Sequence, residues 1–126
     1  MESLHQEGTI SLPTVIFNTS GELRITGRSI PEHPVKFYEP ISNWISDFLA
    51  TNPSNINFLV HLDYLNTHST ECMLVILKRL DTYKKDNNVN VTVNWHFDED
   101  DEDMESLGED LASMVNIPFT FKEIKE

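Results

Sequence analysis

The chain has 126 residues, with 9 Lys and Arg against 21 Asp and Glu, so its formal net charge is −12. This length fits a single domain with an ordinary hydrophobic core, and the charge argues against nucleic acid or an anionic membrane as the natural partner, because both would repel the chain. The single cysteine excludes an internal disulfide, and with no secretion signal or membrane-spanning apolar run we expect a soluble cytoplasmic protein.

The first predicted element is a β-hairpin within residues 9–26. Apolar residues alternate along both of its strands, at Val15, Phe17, Leu23 and Ile25. The segment NTSG at residues 18–21 supplies the turn. Pro13 is tolerated only at a sheet edge or a strand start, which predicts a peripheral hairpin. Pro31 and Pro34 then predict an irregular segment.

A helix is predicted from about Tyr38 to Ala50, because apolar residues recur there at helical spacing. Pro40 fits the first turn of such a helix. The segment TNPSN ends it. Residues 56–65, INFLVHLDYL, form a nearly continuous apolar run, which is typical of a central strand covered on both faces or nearly so.

The second predicted helix runs from about Ser69 to Lys85 and carries an apolar stripe. Residues 89–97, VNVTVNWHF, then alternate strictly between apolar and polar side chains. Strand, helix and strand of these lengths predict a βαβ unit with parallel strands and a right-handed crossover. The polar face of residues 89–97 predicts helices mainly on one side of the sheet.

A third helix is predicted from about Glu102 to Val115, and residues 118–124, PFTFKEI, predict a short final strand. The fold class is therefore α/β, with an N-terminal β-hairpin followed by alternating helices and parallel strands in one mixed sheet. We expect residues 1–126 to form one domain.

Two groups of residues resemble a metal or catalytic site, but neither has the full pattern. The acidic run Asp98–Asp103 resembles a calcium loop, but its sixth position is Asp103 where an EF-hand requires glycine, so a helix cap is favoured. His61 and Asp63 lie two apart on a predicted strand and point the same way, but no nucleophile motif surrounds them. Cys72 is expected to be a small core residue rather than a reactive thiol. The sequence therefore predicts no catalytic group.

Residues 66–70, NTHST, place several hydroxyl and amide side chains at the corner between a strand and a helix. Ser69 or Thr67 could cap the helix, which is worth about 1 kcal/mol. A hydroxyl here could instead accept phosphate, because free N–H groups and the positive end of the helix dipole would stabilise the added charge. The residues alone leave both interpretations open.

Leu74 and Val75 fall on the polar side of the second predicted helix, beside Lys78. Single apolar residues on a surface are common. The alternative interpretation is a docking surface next to the NTHST corner.

The segments GTISLPTVIF, GELRITGRSIPEHPVKFYEPISNWISDFL, LDYLNTHST, VNWHFDEDDEDMESLGED and IPFTFKEI, taken in order, resemble the SiaC family of bacterial regulatory phosphoproteins. The resemblance covers essentially the whole chain. It implies a fold similar to STAS domains, the fold of anti-sigma-factor antagonists, and a non-enzymatic signalling role without a cofactor.

The resemblance further implies that Thr67 is the phosphoacceptor, modified by a Ser/Thr protein kinase and restored by a PP2C-like phosphatase, with Ser69 or Thr70 left to cap the helix. The unphosphorylated form would bind and activate a diguanylate cyclase or other signalling enzyme, raising cyclic di-GMP and promoting biofilm. An alternative is an anti-sigma-factor-antagonist-like module that sequesters a regulatory kinase. The expected partner-binding residues are Tyr64, Leu65, Asn66, His68, Ser69, Leu74, Val75 and Lys78.

Overall fold

The computed structural model describes residues 1–125 and contains six strands and three helices in that range. In chain order these are β1 Leu4–Gln6, β2 Thr14–Phe17, β3 Glu22–Ser29, α1 Pro34–Leu49, β4 Asn55–Leu65, α2 Thr67–Asn87, β5 Asn90–Asp98, α3 Glu102–Ala112 and β6 Phe119–Ile124. The hairpin is confirmed as β2 and β3, but the short strand β1 was not predicted. Because β1 pairs with β2 and takes the edge position, Pro13 is accommodated just before a strand start rather than at an edge.

The six strands form one mixed sheet in sequential order, β1 to β6. The pairs β1–β2 and β2–β3 are antiparallel, whereas β3 to β6 are mutually parallel. Each parallel step is bridged by one helix. Since the strand order always advances in the same direction, crossovers of one hand place all three helices on one face. The predictions of an α/β fold, a mixed sheet and parallel strands flanking α2 are confirmed.

The core lies between that face and the helices. On β5 the alternation predicted from the sequence is retained, with Val91, Val93 and Trp95 fully buried and Thr92 exposed between them. β4 was predicted to be covered on both faces or nearly so, and its two faces differ in burial. Its residues 56, 58, 60 and 62 are fully buried, but residues 57, 59 and 61 are only half-buried, because within residues 1–125 the helices lie on the other face of the sheet.

The helix ends also differ from the predictions. α1 begins at Pro34, four residues earlier than predicted, because proline is well suited to the first position of a helix. Pro40 therefore lies in the interior of α1 rather than in its first turn, where it has no N–H to donate to the carbonyl of Lys36. α3 ends at Ala112 instead of Val115.

A β-bulge interrupts the pairing of β3 with β4. Gly27 pairs with Leu62, but Arg28 pairs with Tyr64, so Asp63 is the extra residue on β4. As a result Asp63 and Tyr64 are both exposed, whereas Leu62 and Leu65 are buried. The bulge thus turns Tyr64 away from the core just before the chain enters α2.

Candidate functional site

The NTHST corner joins the carboxyl end of β4 to the first turn of α2. Asn66 is the N-cap of α2, and its side-chain oxygen accepts a hydrogen bond from the Ser69 amide at 2.9 Å. The Asn66 amide in turn donates to the carbonyl of Ser29 at 3.2 Å, which ties the corner to the end of β3. The expectation that Ser69, Thr67 or Thr70 caps the helix is wrong, since α2 begins two residues earlier than predicted.

Ser69 instead belongs to a buried chain of hydroxyl groups. Its Oγ accepts a hydrogen bond from Ser29 Oγ at 3.1 Å, and Ser29 Oγ lies 2.6 Å from the hydroxyl of Tyr38 on α1. Ser29 and Ser69 are fully buried, and burial raises the pKa of Tyr38 to about 12. Three elements are thereby joined beneath the corner. Ser29 and Tyr38 were not foreseen, because nothing in the local sequence links residues so far apart.

Thr67 is the first residue of α2, and it is exposed. Thr70, one turn further along, is half-buried and its hydroxyl donates to the Asn66 carbonyl at 3.0 Å. Of the first four amides of α2, those of Ser69 and Thr70 bond to Asn66. Thr67 and His68 occupy the first two positions of α2, where backbone amides have no carbonyl partner within the helix.

The expected partner-binding residues divide into exposed and buried sets. Tyr64 is 53% exposed and His68 is exposed, with its ring 3.9 Å from the carboxylate of Glu71. Asn66 is half-buried and occupied by its capping bond. Leu65 and Ser69 are buried, so their side chains are part of the core beneath the corner rather than of its surface.

On α2, Val75 is 53% exposed and Lys78 is exposed, whereas Leu74 is half-buried and packs against the core. Val75 also lines a shallow groove of about 290 Å³ between α1 and α2, together with Val35 and Cys72. Val35 is 72% exposed. Two exposed valines therefore flank this groove, one from each helix, on the helical side of the molecule.

The other candidate groups have structural partners. Asp101 caps α3, with its side chain accepting from the Met104 amide at 3.1 Å, as predicted for the acidic run. His61 does not pair with Asp63. Instead His61 Nε2 lies 2.8 Å from Asp98, and Asp63 pairs with Arg28 at 3.3 Å.

Two further observations concern the residues 1–125. No cluster of three or more His, Cys, Asp or Glu side chains in this range is arranged to hold a metal ion. Within the same range, no helix combines the length and the hydropathy needed to span a bilayer.

Cys72 is half-buried, and its pKa is raised by burial and further by the neighbouring Glu71, which lowers the thiolate fraction.

Comparisons with protein families, known sequences and solved structures each find a match over nearly the whole chain. A family model described as "SiaC family regulatory phosphoprotein" matches residues 6–124. An uncharacterized protein of Pseudomonas aeruginosa strain UCBPP-PA14 is 29% identical over 123 residues, covering 97% of each chain. The structure of SiaC of Pseudomonas aeruginosa is similar with a TM-score of 0.90 at 28% identity, covering 98% of this chain and 100% of that one. A crystal structure of the diguanylate cyclase SiaD in complex with its activator SiaC, from the same organism, also matches with a TM-score of 0.90, at 29% identity over 96% of this chain and 99% of that one.

Proposed function

The chain belongs to the SiaC family of regulatory phosphoproteins, and from this premise we propose that it is a non-enzymatic cytoplasmic signalling protein whose unphosphorylated form binds and activates a diguanylate cyclase. The observation that carries the proposal is the fold-level match, over nearly the whole chain, to SiaC bound to the cyclase SiaD as its activator. A diguanylate cyclase controls the level of cyclic di-GMP, so the output would be biofilm or aggregation control.

The proposal assigns the switch to Thr67. Three hydroxyl residues lie at the start of α2, but Ser69 is fully buried and the hydroxyl of Thr70 is bonded to the Asn66 carbonyl. Thr67 is exposed at the first position of the helix. A Ser/Thr protein kinase therefore reaches Thr67 without disturbing the core, and a PP2C-like phosphatase reaches the same position to remove the phosphate.

Phosphate on Thr67 would act on the surface rather than on the fold. It adds about −1.5 to −2 charges and three acceptor oxygens. At the N-terminus of α2 this charge meets the positive end of the helix dipole, which stabilises the modified helix. The same charge would lie beside Tyr64 and His68, both exposed. We therefore place the regulatory effect in the contact with the cyclase, because the phosphate would add negative charge beside the exposed aromatic side chain of Tyr64.

The experiment measures cyclase activation by four versions of the protein, namely the wild type, Thr67→Ala, Thr67→Asp and Thr19→Asp. Thr19 lies in the turn between β2 and β3, is exposed, and sits at the opposite end of the sheet from Thr67. Thr19→Asp therefore adds the same charge away from the switch. We expect the wild type and Thr19→Asp to bind and activate the cyclase, and Thr67→Asp to lose most of that binding. Incubation with the kinase and ATP, followed by mass spectrometry, should place phosphate on the wild type and not on Thr67→Ala.

Two results would contradict the proposal. Phosphate mapped to a residue other than Thr67 would remove the switch assignment. The second result is that Thr67→Asp and Thr19→Asp activate the cyclase equally and the phosphorylated wild type still activates it. Phosphorylation would then not control the cyclase. If the protein instead bound a sigma-regulatory kinase and no cyclase, the anti-sigma-factor-antagonist interpretation would replace the one proposed here.

A further inference from the structure

Thr67 and His68 form a short exposed span that is tied at both ends to Ser29, the last residue of β3. Before the span, the Asn66 amide donates to the Ser29 carbonyl at 3.2 Å. After the span, Ser29 Oγ donates to Ser69 Oγ at 3.1 Å. The two ends also meet each other, because the Asn66 side chain accepts from the Ser69 amide at 2.9 Å. The position of Thr67 therefore depends on the position of Ser29.

Ser29 is held in turn by Tyr38 of α1, whose hydroxyl oxygen lies 2.6 Å from Ser29 Oγ. The single hydroxyl proton of Ser29 is donated to Ser69, so Tyr38 is the donor in its bond to Ser29. The three hydroxyl groups thus form one directed series from Tyr38 through Ser29 to Ser69, which we call the hydroxyl chain. It connects α1 and β3 to the first turn of α2 from beneath the exposed span.

The hydroxyl chain is a polar feature in an otherwise apolar core. Of the polar residues that the structure describes, only Ser29 and Ser69 are fully buried, and Tyr38 is 2% exposed. A buried hydrogen bond adds little net stability, and replacing both partners by apolar groups of the same shape is close to neutral. What a satisfied buried network adds is one defined geometry. The hydroxyl chain is therefore better suited to fixing a position than to raising stability.

We propose that Ser29 and Tyr38 are positioning residues of the switch, which hold Thr67 in the geometry that the cyclase recognises. This inference rests on the function proposed above and adds two buried residues that lie out of reach of the cyclase itself. A surface that is held in its bound geometry before contact loses less conformational entropy on binding. Removing a hydroxyl group from the hydroxyl chain should therefore weaken cyclase binding although Thr67 is unchanged.

The first measurement needs no partner. Hydrogen exchange of the Ser69 and Thr70 amides, both bonded to Asn66, reports how firmly the first turn of α2 is held, because amides at the ends of elements exchange by local opening. We expect Tyr38→Phe, which removes only the hydroxyl group, to speed this exchange roughly two- to ten-fold, the equivalent of one ordinary hydrogen bond. The matched control is Ile56→Val, a core change of similar cost at the opposite end of β4. It should leave the exchange of both amides unchanged.

The second measurement is the affinity of the cyclase for the wild type, Tyr38→Phe, Ser29→Ala and the double variant. Each single variant should bind the cyclase roughly two- to ten-fold more weakly. The double variant should bind no more weakly than Ser29→Ala, because the loss of the middle hydroxyl already separates Tyr38 from Ser69. Ile56→Val should bind like the wild type. If Ser29→Ala does not fold, the comparison of Tyr38→Phe with Ile56→Val decides.

Unchanged amide exchange in Tyr38→Phe would overturn the inference, and so would faster exchange without weaker cyclase binding. Equal weakening by Ile56→Val, or additive losses in the double variant, would also overturn it, because the effect would then be one of general stability. If the wild type bound no cyclase, the proposed function would fail, whereas the exchange measurement would still decide whether the hydroxyl chain holds the turn that carries Thr67.

Discussion

Replacing Gly108 by alanine tests how tightly α3 packs on the sheet. Gly108 is buried on α3, and a Cβ at this position would lie only 2.5 Å from Cδ1 of the Trp95 indole. The indole has no room to move, because Trp95 is fully buried and its Nε1 donates to the Met104 carbonyl at 2.9 Å. Helix propensity alone predicts that alanine stabilises this helix by about 1 kcal/mol. The packing predicts the opposite sign.

The magnitude follows from these two opposing effects. Overpacking a tight core costs about 1–3 kcal/mol, and a rigid, hydrogen-bonded aromatic ring places Gly108→Ala at the upper end of that range. After the gain in helix propensity, we expect a net loss of about 2 kcal/mol. With an unfolding entropy of about 2.1 cal/mol/K per residue, a chain of this length should lose about 8 °C in Tm.

The assay is thermal unfolding followed by far-ultraviolet circular dichroism, with urea denaturation as a second measurement. The matched control is Ser106→Ala, which changes an exposed residue of the same helix and should stabilise the protein by at most about 0.5 kcal/mol. If Gly108→Ala is as stable as the wild type or more stable, the close contact between α3 and Trp95 is wrong.

Three further predictions concern the corner and its surroundings. Asn66→Ala should lower the free energy of unfolding by about 1 kcal/mol, because it removes the cap of α2, whereas Asn66→Asp should keep most of it; urea denaturation measures both. The pKa of Tyr38 is about 12 when folded and 10.0 in its ordinary state, so the phenol ionises first in the unfolded chain. Stability should therefore be unaffected below pH 10 and fall by at most about 2–3 kcal/mol as the pH rises towards 12. Tyr38→Phe should show a smaller loss over the same range in alkaline denaturation. Cys72, whose pKa is raised, should react with a thiol reagent more slowly in the native protein than in urea, as measured by absorbance; equal rates would contradict its half-buried position.

The parts of the fold that were predicted correctly depend on local patterns. The alternation through Val91, Val93 and Trp95 identified β5, and the helical spacing after residue 69 identified α2, because side-chain periodicity is set by the element itself. The order of strand, helix and strand then determined a parallel pair. The resemblance over the whole chain carried the family assignment, and it singled out Thr67.

The parts that were predicted incorrectly depend on contacts between distant segments. Several residues of the NTHST corner can cap a helix. The backbone amide of Asn66 bonds to the carbonyl of Ser29, and this contact with β3 places the end of β4 just before Asn66 and the start of α2 at Thr67. Asn66 is therefore the residue that caps α2. Ser69 was expected on the surface, but it is buried against Ser29, a residue 40 positions away. Only the folded chain separates the exposed hydroxyl of Thr67 from the buried one of Ser69.

The sequence by itself determined the total charge and the spacing of apolar residues that identifies helices and strands, because each is a property of the residues or of their near neighbours. The total charge of −12 argued against nucleic acid and an anionic membrane as partners. The tertiary structure alone decided how that charge is distributed. The register across β3 to β6 collects Arg24, His61, His96 and Lys122 on one face, and the bulge at Asp63 turns Tyr64 outwards. Both arrangements depend on pairing between strands more than 25 residues apart, which no local pattern encodes.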